Sequence, residues 1–170
     1  MTATPTASPI TLVLGDAEGE LASTRRVLER FPDGKGDWRP HAKSRTIGQL
    51  AAHVAALPGL GIRIVTTEGI DAATRPPLPN LNTVAELVAL FDANTRGLRA
   101  AIAEADDAML GESFTLRAGD RVFVSLPKRE ALRSMFLNHL IHHRAQLGVY
   151  FRLLEVPVPV VYGPTADEPF

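Results

Sequence analysis

The chain has 170 residues, 45% hydrophobic and 22% charged, the composition of one folded domain, which excludes wholesale disorder. Lys plus Arg is 18 against 19 Asp plus Glu, a net charge of −1, so there is no basic footprint for nucleic acid. There is no cysteine, which excludes disulfides, thiolate zinc sites and a cysteine nucleophile. Any metal must be held by His, Asp or Glu, and any thiol chemistry must use a thiol brought by the substrate.

Residues 1–11 open with MTATPTASP, small and polar, with neither a charged n-region nor an apolar h-region. They are expected to form a flexible tail before a single domain over residues 12–170. No run of 18 apolar residues is present, so no membrane span is expected and the expected location is the cytoplasm. The first helix is expected over Asp16–Phe31, where Leu14, Ala17, Leu21, Leu28 and Phe31 recur on one face and Pro32-Asp33-Gly34 ends it. The second starts at Thr46, which with Gln49 fits a T-x-x-Q capping box. Its stripe is Ile47, Leu50, Val54 and Leu57, and Pro58-Gly59 is expected to kink or break it. A long proline-rich loop follows, over about Gly69–Asn82.

Thr83 and Glu86 form a second capping box, and Val84, Leu87, Val88, Phe91, Leu98 and Ile102 carry the third helix to about Ala105. Over Glu112–Leu126, alternation at Phe114, Leu116, Val122 and Val124 around Ala118-Gly119-Asp120 predicts a small β-hairpin. The last helix, Lys128–Leu154, has a stripe of Leu132, Phe136, His139, His143, Leu147, Tyr150 and Leu154. The proline-rich end, Val156–Phe170, is expected to pack as an extended strap whose final acidic residues fray. The expected fold class is all-α, a four-helix bundle with a crossover loop and a small β-hairpin before the last helix.

His139 and His143, at i and i+4, put two imidazoles one turn apart on one helix face, a spacing that suits one metal ion. His53, between Leu50 and Leu57, lies at the core edge of its own helix. A single buried histidine is most often paired within the core. Three imidazoles buried without partners would cost about 1–3 kcal/mol each, and one shared cation relieves all three. His142 is read as an outer-shell or surface group, and His41 as structural or exposed. Gln146 is a candidate to line the pocket or bond a ligand, although packing is the first expectation for it and for Tyr150. Glu20 and Asp37 are weaker outer candidates, expected to be solvated. H-x-x-x-H lacks the Glu of H-E-x-x-H, so a zincin is not supported. No Ser/His/Asp order and no phosphate loop is present.

The segments TIGQLAAHVAALPG (Thr46–Gly59) and LNHLIHHRAQLGVYFRLLEVPVPVVYGPTADE (Leu137–Glu168), with TRRVLERFPDGKGDWRPHAKS (Thr24–Ser44), together resemble the DinB/YfiT-like family of bacterial four-helix proteins. The resemblance runs from about Leu12 onward. It implies a bundle in which the first and last helices flank a crossover. It implies a divalent metal, such as nickel or zinc, held at the positions of His53, His139 and His143, and a homodimer. Some members of that family are transferases or isomerases using low-molecular-weight thiols such as bacillithiol or mycothiol, and many have no assigned reaction. The expected function is therefore a metal-dependent thiol transferase or a hydrolase acting on a small molecule. The alternative is a metal-containing binding or stress-response protein without turnover, and a third case is a fold whose histidines are only structural.

Overall fold

The computed structural model describes residues 13–169 except 75, 79 and 80, so the expected N-terminal tail lies outside the described residues. The chain is mostly helical, with one small sheet. The helices α1 (Ala17–Leu28), α2 (Ile47–Thr66) and α3 (Val84–Ala103) come first, with strand β1 (Gly69–Asp71) after α2. A short helix α4 (Asp107–Gly111) and the hairpin β2 (Ser113–Ala118) and β3 (Arg121–Pro127) follow. The last helical run is built of α5 (Lys128–Ala131), a π-helical turn (Leu132–Leu137) and α6 (Asn138–Leu153) without a break. Helix α2 packs most extensively against α3, and also against the π turn and α6, while α1 packs against α3 and α6.

The predicted faces of the first three helices are the buried ones. Leu14, Ala17, Leu21, Leu28 and Phe31 from the first, Leu50, Val54 and Leu57 from the second, and Leu87, Phe91, Leu98 and Ile102 from the third join one core. Both capping boxes form: the Thr46 hydroxyl accepts from the Gln49 N–H and the Gln49 amide oxygen from the Thr46 N–H, and Thr83 and Glu86 do the same. These bonds satisfy N–H groups that a helix start otherwise leaves without partners.

Three expectations are corrected. Of the kink or break expected at Pro58, the break is absent: helix α2 runs on through the proline for 20 residues. The proline sits buried inside the packed layer, and Asn94 of α3 donates its side-chain N–H to the Ala55 carbonyl (3.2 Å), which ties the facing helix to this stretch of α2. The close fit is allowed by missing side chains: a Cβ on Gly61 would lie 2.8 Å from Leu98 Cδ1, and one on Gly97 2.7 Å from Ile62 Cδ1. Helix α2 is long and apolar enough to cross a membrane by length and composition, a test that counting an uninterrupted apolar run does not apply, but most of it is buried inside the protein.

The all-α class is the second correction. Strand β1, from the proline-rich loop, pairs parallel with β2, Ile70 opposite Leu116, to make a three-stranded sheet in the order β1-β2-β3. Three residues are too few for alternation to be visible in the sequence. The predicted hairpin is present, antiparallel, turning at Gly119 with φ +56°. A register shift beyond Leu116 leaves Phe123 exposed under Arg121.

The third correction concerns the chain end. Asp167 pairs with Arg152 (2.6 Å) and accepts from the Val158 N–H (2.8 Å). Glu168 pairs with Arg30 and accepts from the Val160 N–H (3.0 Å). The expected strap is therefore present, and its acidic residues are fastened to Arg30 just after α1 and to α6.

The turn into the strap is a Schellman motif: Val156 N–H bonds the Phe151 carbonyl (2.9 Å) and Glu155 N–H the Arg152 carbonyl (3.2 Å). Glu155 takes the left-handed position, φ 56°, where a Cβ is penalised. Glu155→Gly is expected to stabilise the fold by about 1 kcal/mol, read as a rise in the denaturant midpoint at unchanged m-value.

Candidate metal centre

The π turn decides what the last helix buries. Asn138 N–H reaches back five residues, to the Arg133 carbonyl, so the turn holds one residue more than an α-helix. The adjacent residues Phe136 and Leu137 are both fully buried. Beyond the slip the core stripe is Leu140, Arg144, Leu147 and Phe151. A stripe read at constant helical period instead places His139, His143, Tyr150 and Leu154 in the core. That reading is corrected: all four are only partly buried and flank the core stripe.

His53 does reach the core, at 5% exposure, from the middle of α2. The packing of α2 on the π turn and α6 brings its ring to 5.0 Å from that of His139 and 4.6 Å from that of His143, centroid to centroid. One ligand atom from each ring lies within 4.8 Å of the others. Nε2 of His139 is 3.3 Å from Nε2 of His53 and 2.8 Å from Nε2 of His143.

The tautomers follow from the partners. His139 Nδ1 is 3.2 Å from the Met135 carbonyl, and His143 Nδ1 is 2.7 Å from Oε1 of Gln146. Both oxygens can only accept, so each Nδ1 donates its proton. The neutral rings then present bare Nε2 lone pairs to each other. Charging one ring would relieve the repulsion, but burial, first of all, holds the pKa of both below the usual imidazole value. His143 adds to this at His139, and His142 and Arg45 act on both rings. A cation shared among the lone pairs relieves it at no such cost. Nitrogens on a tetrahedral zinc at about 2.0–2.1 Å lie about 3.3 Å apart, within the range these rings span. The donor set thus fits a divalent metal, and its chemistry of neutral nitrogens suits zinc, nickel or copper. With His139 and His143 half-buried, one side of the cluster is open.

The remaining predicted residues divide. Gln146 is exposed and not packed, and its side-chain oxygen accepts from His143 Nδ1. His142 is exposed on the surface beside the His143 ring (4.9 Å), outside the converging group. His41 is exposed and accepts from the Lys43 N–H. Tyr150 packs edge-on against Trp38 and donates to the Arg45 carbonyl (3.3 Å). Asp37 is exposed, as expected.

Glu20 is not solvated. Its carboxylate meets Arg144 at 2.6 Å with both side chains inside the fold, and the Tyr162 hydroxyl donates to it (2.8 Å). Arg144 also donates to the Glu20 carbonyl and to Thr24. The signal was an arginine midway between Leu140 and Leu147, legible only once the register slip is known. The Met135 carbonyl left no signal at all, since backbone acceptors carry no residue type.

Residues 17–147 match the family model of the DinB superfamily, a stretch that contains all three histidines. The chain belongs to the DinB superfamily. Solved structures agree on the fold. A DinB-like protein from Bacillus subtilis is 18% identical with a TM-score of 0.65, covering 94% of this chain and 96% of that one. A DinB-like protein from Bacillus cereus is 20% identical with a TM-score of 0.67, covering 88% and 95%. No curated protein matches. Within the superfamily fold, the three histidines of this chain are a group that can hold a metal ion.

The depressed imidazoles give a pH signature. Well above 6.5, the ordinary value, both rings are neutral folded or unfolded. As pH falls through that value the unfolded chain takes up protons first, so stability is lost. The melting temperature of metal-free protein is expected to fall between about pH 7.5 and 5.5, and His139→Ala/His143→Ala to flatten that slope. An equal slope in the double variant assigns the loss to other groups.

Proposed function

We propose that this protein is a metal-dependent enzyme of the DinB superfamily, a transferase using a low-molecular-weight thiol more than a hydrolase. The observation that carries the reading is the convergence of one imidazole nitrogen from each of three histidines, with one side open. His53, His139 and His143 would hold the ion. A divalent ion bound to three neutral imidazoles keeps its full charge and supplies the acidity that lowers the pKa of a thiol or water brought to it. Met135 and Gln146 fix the ring orientations by taking the Nδ1 protons. His53, buried in α2, anchors the site to the core. The absence of cysteine suits an external thiol, because the protein cannot be trapped as a mixed disulfide. The half-open site favours turnover over the alternative, a closed metal-containing binding or stress-response protein. We place the activity in the cytoplasm, read the helices as a four-helix bundle with a crossover between α2 and α3, and expect no nucleic acid partner.

Protein purified without tag or chelator is expected to carry about one divalent ion per chain by elemental analysis, and His53→Ala/His139→Ala/His143→Ala none. The loaded protein should then consume thiols in the presence of electrophiles, and His143→Ala should not. No metal in the parent after incubation with zinc, nickel and manganese would overturn the proposal.

We also propose a homodimer. Val149 and Leu153 of α6 are exposed, as is the ring of Tyr162, along an apolar groove of about 580 Å³ between α6 and the strap. Val149→Glu/Leu153→Glu should shift the sedimentation coefficient from dimer to monomer while leaving metal content unchanged. A monomeric parent would refute the assembly.

A further inference from the structure

At the start of α2, one turn before His53, lies a cavity of about 530 Å³ whose lining includes Asp37, Arg39, Arg45, Thr46, Gln49 and Leu78. Two links tie it to the histidines. Gln49 is one turn before His53 on α2, so the two share a helix face. The Arg45 carbonyl accepts from Tyr150, which lies two turns after His143 on the same face of α6.

The charges of this cavity are unspent. Elsewhere eight arginines, Arg144 and Arg152 among them, are tied to carboxylates. Among the described residues, Arg39 and Arg45 are both exposed and neither forms an ion pair. The start of α2 does not supply the site, because the Thr46 and Gln49 side chains already occupy its capping N–H groups. Two guanidinium forks are a planar donor set for an oxyanion, with the Gln49 amide as a further polar partner and Leu78 as an apolar wall.

We propose that this cavity is an anion subsite: Arg39 and Arg45 hold a carboxylate or phosphate group of the small-molecule substrate while its reacting end lies at the three histidines. The inference rests on the reading of the triad as a metal centre. A small anion there also offsets the repulsion between Arg45 and a bound cation, so anion and metal each raise the other's affinity.

The test uses full-length protein, metal-free and nickel-loaded, titrated with inorganic phosphate and separately with succinate. The Nε–H resonances of Arg39 and Arg45 report binding in the metal-free form. In the nickel form, paramagnetic relaxation of the phosphate ³¹P or succinate ¹H signal reports nearness to the ion, with zinc-loaded protein as the diamagnetic control. Saturable shifts with either anion are expected, and the one that binds tells carboxylate from phosphate. Arg39→Gln/Arg45→Gln should weaken binding by at least about tenfold, while metal stoichiometry stays at the parent value and metal affinity in the absence of anion rises. No saturable shift with either anion would overturn the subsite. So would equal relaxation in the double variant, which means the anion sits on the metal alone. If nickel does not bind the parent, the metal reading fails by stoichiometry, and the metal-free titration still decides whether the arginines bind an anion.

Discussion

One additional residue in a single helical turn governs the last helix, and through it most of what this chain can do. The π turn at Leu132–Leu137 shifts every later side chain by about a quarter of a turn. Leu140, Leu147 and Phe151 enter the core, Arg144 goes in with them, and His139 and His143 are left on the margin where solvent and the interior meet. A metal centre that is to admit a substrate belongs on such a margin. At the core position the imidazoles would be sealed. On the outer face they would lack His53, which only the packed side of α2 can offer.

The slip also creates a demand. A guanidinium in the core must be paired and hydrogen-bonded or it is strongly destabilising. Glu20 of α1 supplies the charge, and Thr24, the Glu20 carbonyl and Tyr162 occupy further donor and acceptor sites. Tyr162 comes from the strap, so the extended C-terminal segment completes a network centred between two helices. Its other fastenings, Arg152 with Asp167 and Arg30 with Glu168, lie nearer solvent and contribute less individually. The strap is thus held by one buried polar cluster and by surface pairs that fix its register.

Much of this was legible in the residues. The faces of the first three helices, both capping boxes, the hairpin and the three histidines follow from periodicity, cap chemistry and spacing. Each is a local rule acting on side-chain type. What escaped has a common cause. The unbroken course of α2 through Pro58 depends on the layer packed around it. Strand β1 is three residues long and exists only because β2 is beside it. The π turn is a backbone register that no residue type announces, and constant periodicity misplaced His139, His143, Tyr150 and Leu154 together and passed over Arg144. Glu20 looked like a solvated helix residue because its partner lies 124 positions away in Arg144. The site survived the error because His139 and His143 are four apart, so any rotation of the helix carries them as a pair.

Arg144 directly follows His143, and the two point to different tasks from neighbouring positions: one pins α1 and the strap, the other faces the open cluster. Between Leu132 and Phe151 the helix therefore has two registers that must agree at once. Substitutions along it can be graded, since a smaller or larger side chain perturbs one contact. A change of length cannot. Gaining one residue would bury His143 where Arg144 now lies, and losing one would put Arg144 where His143 now lies and carry His143 out to the exposed position of His142. Outside His139, His143 and Arg144, this helix therefore tolerates a change of side chain better than any change of length.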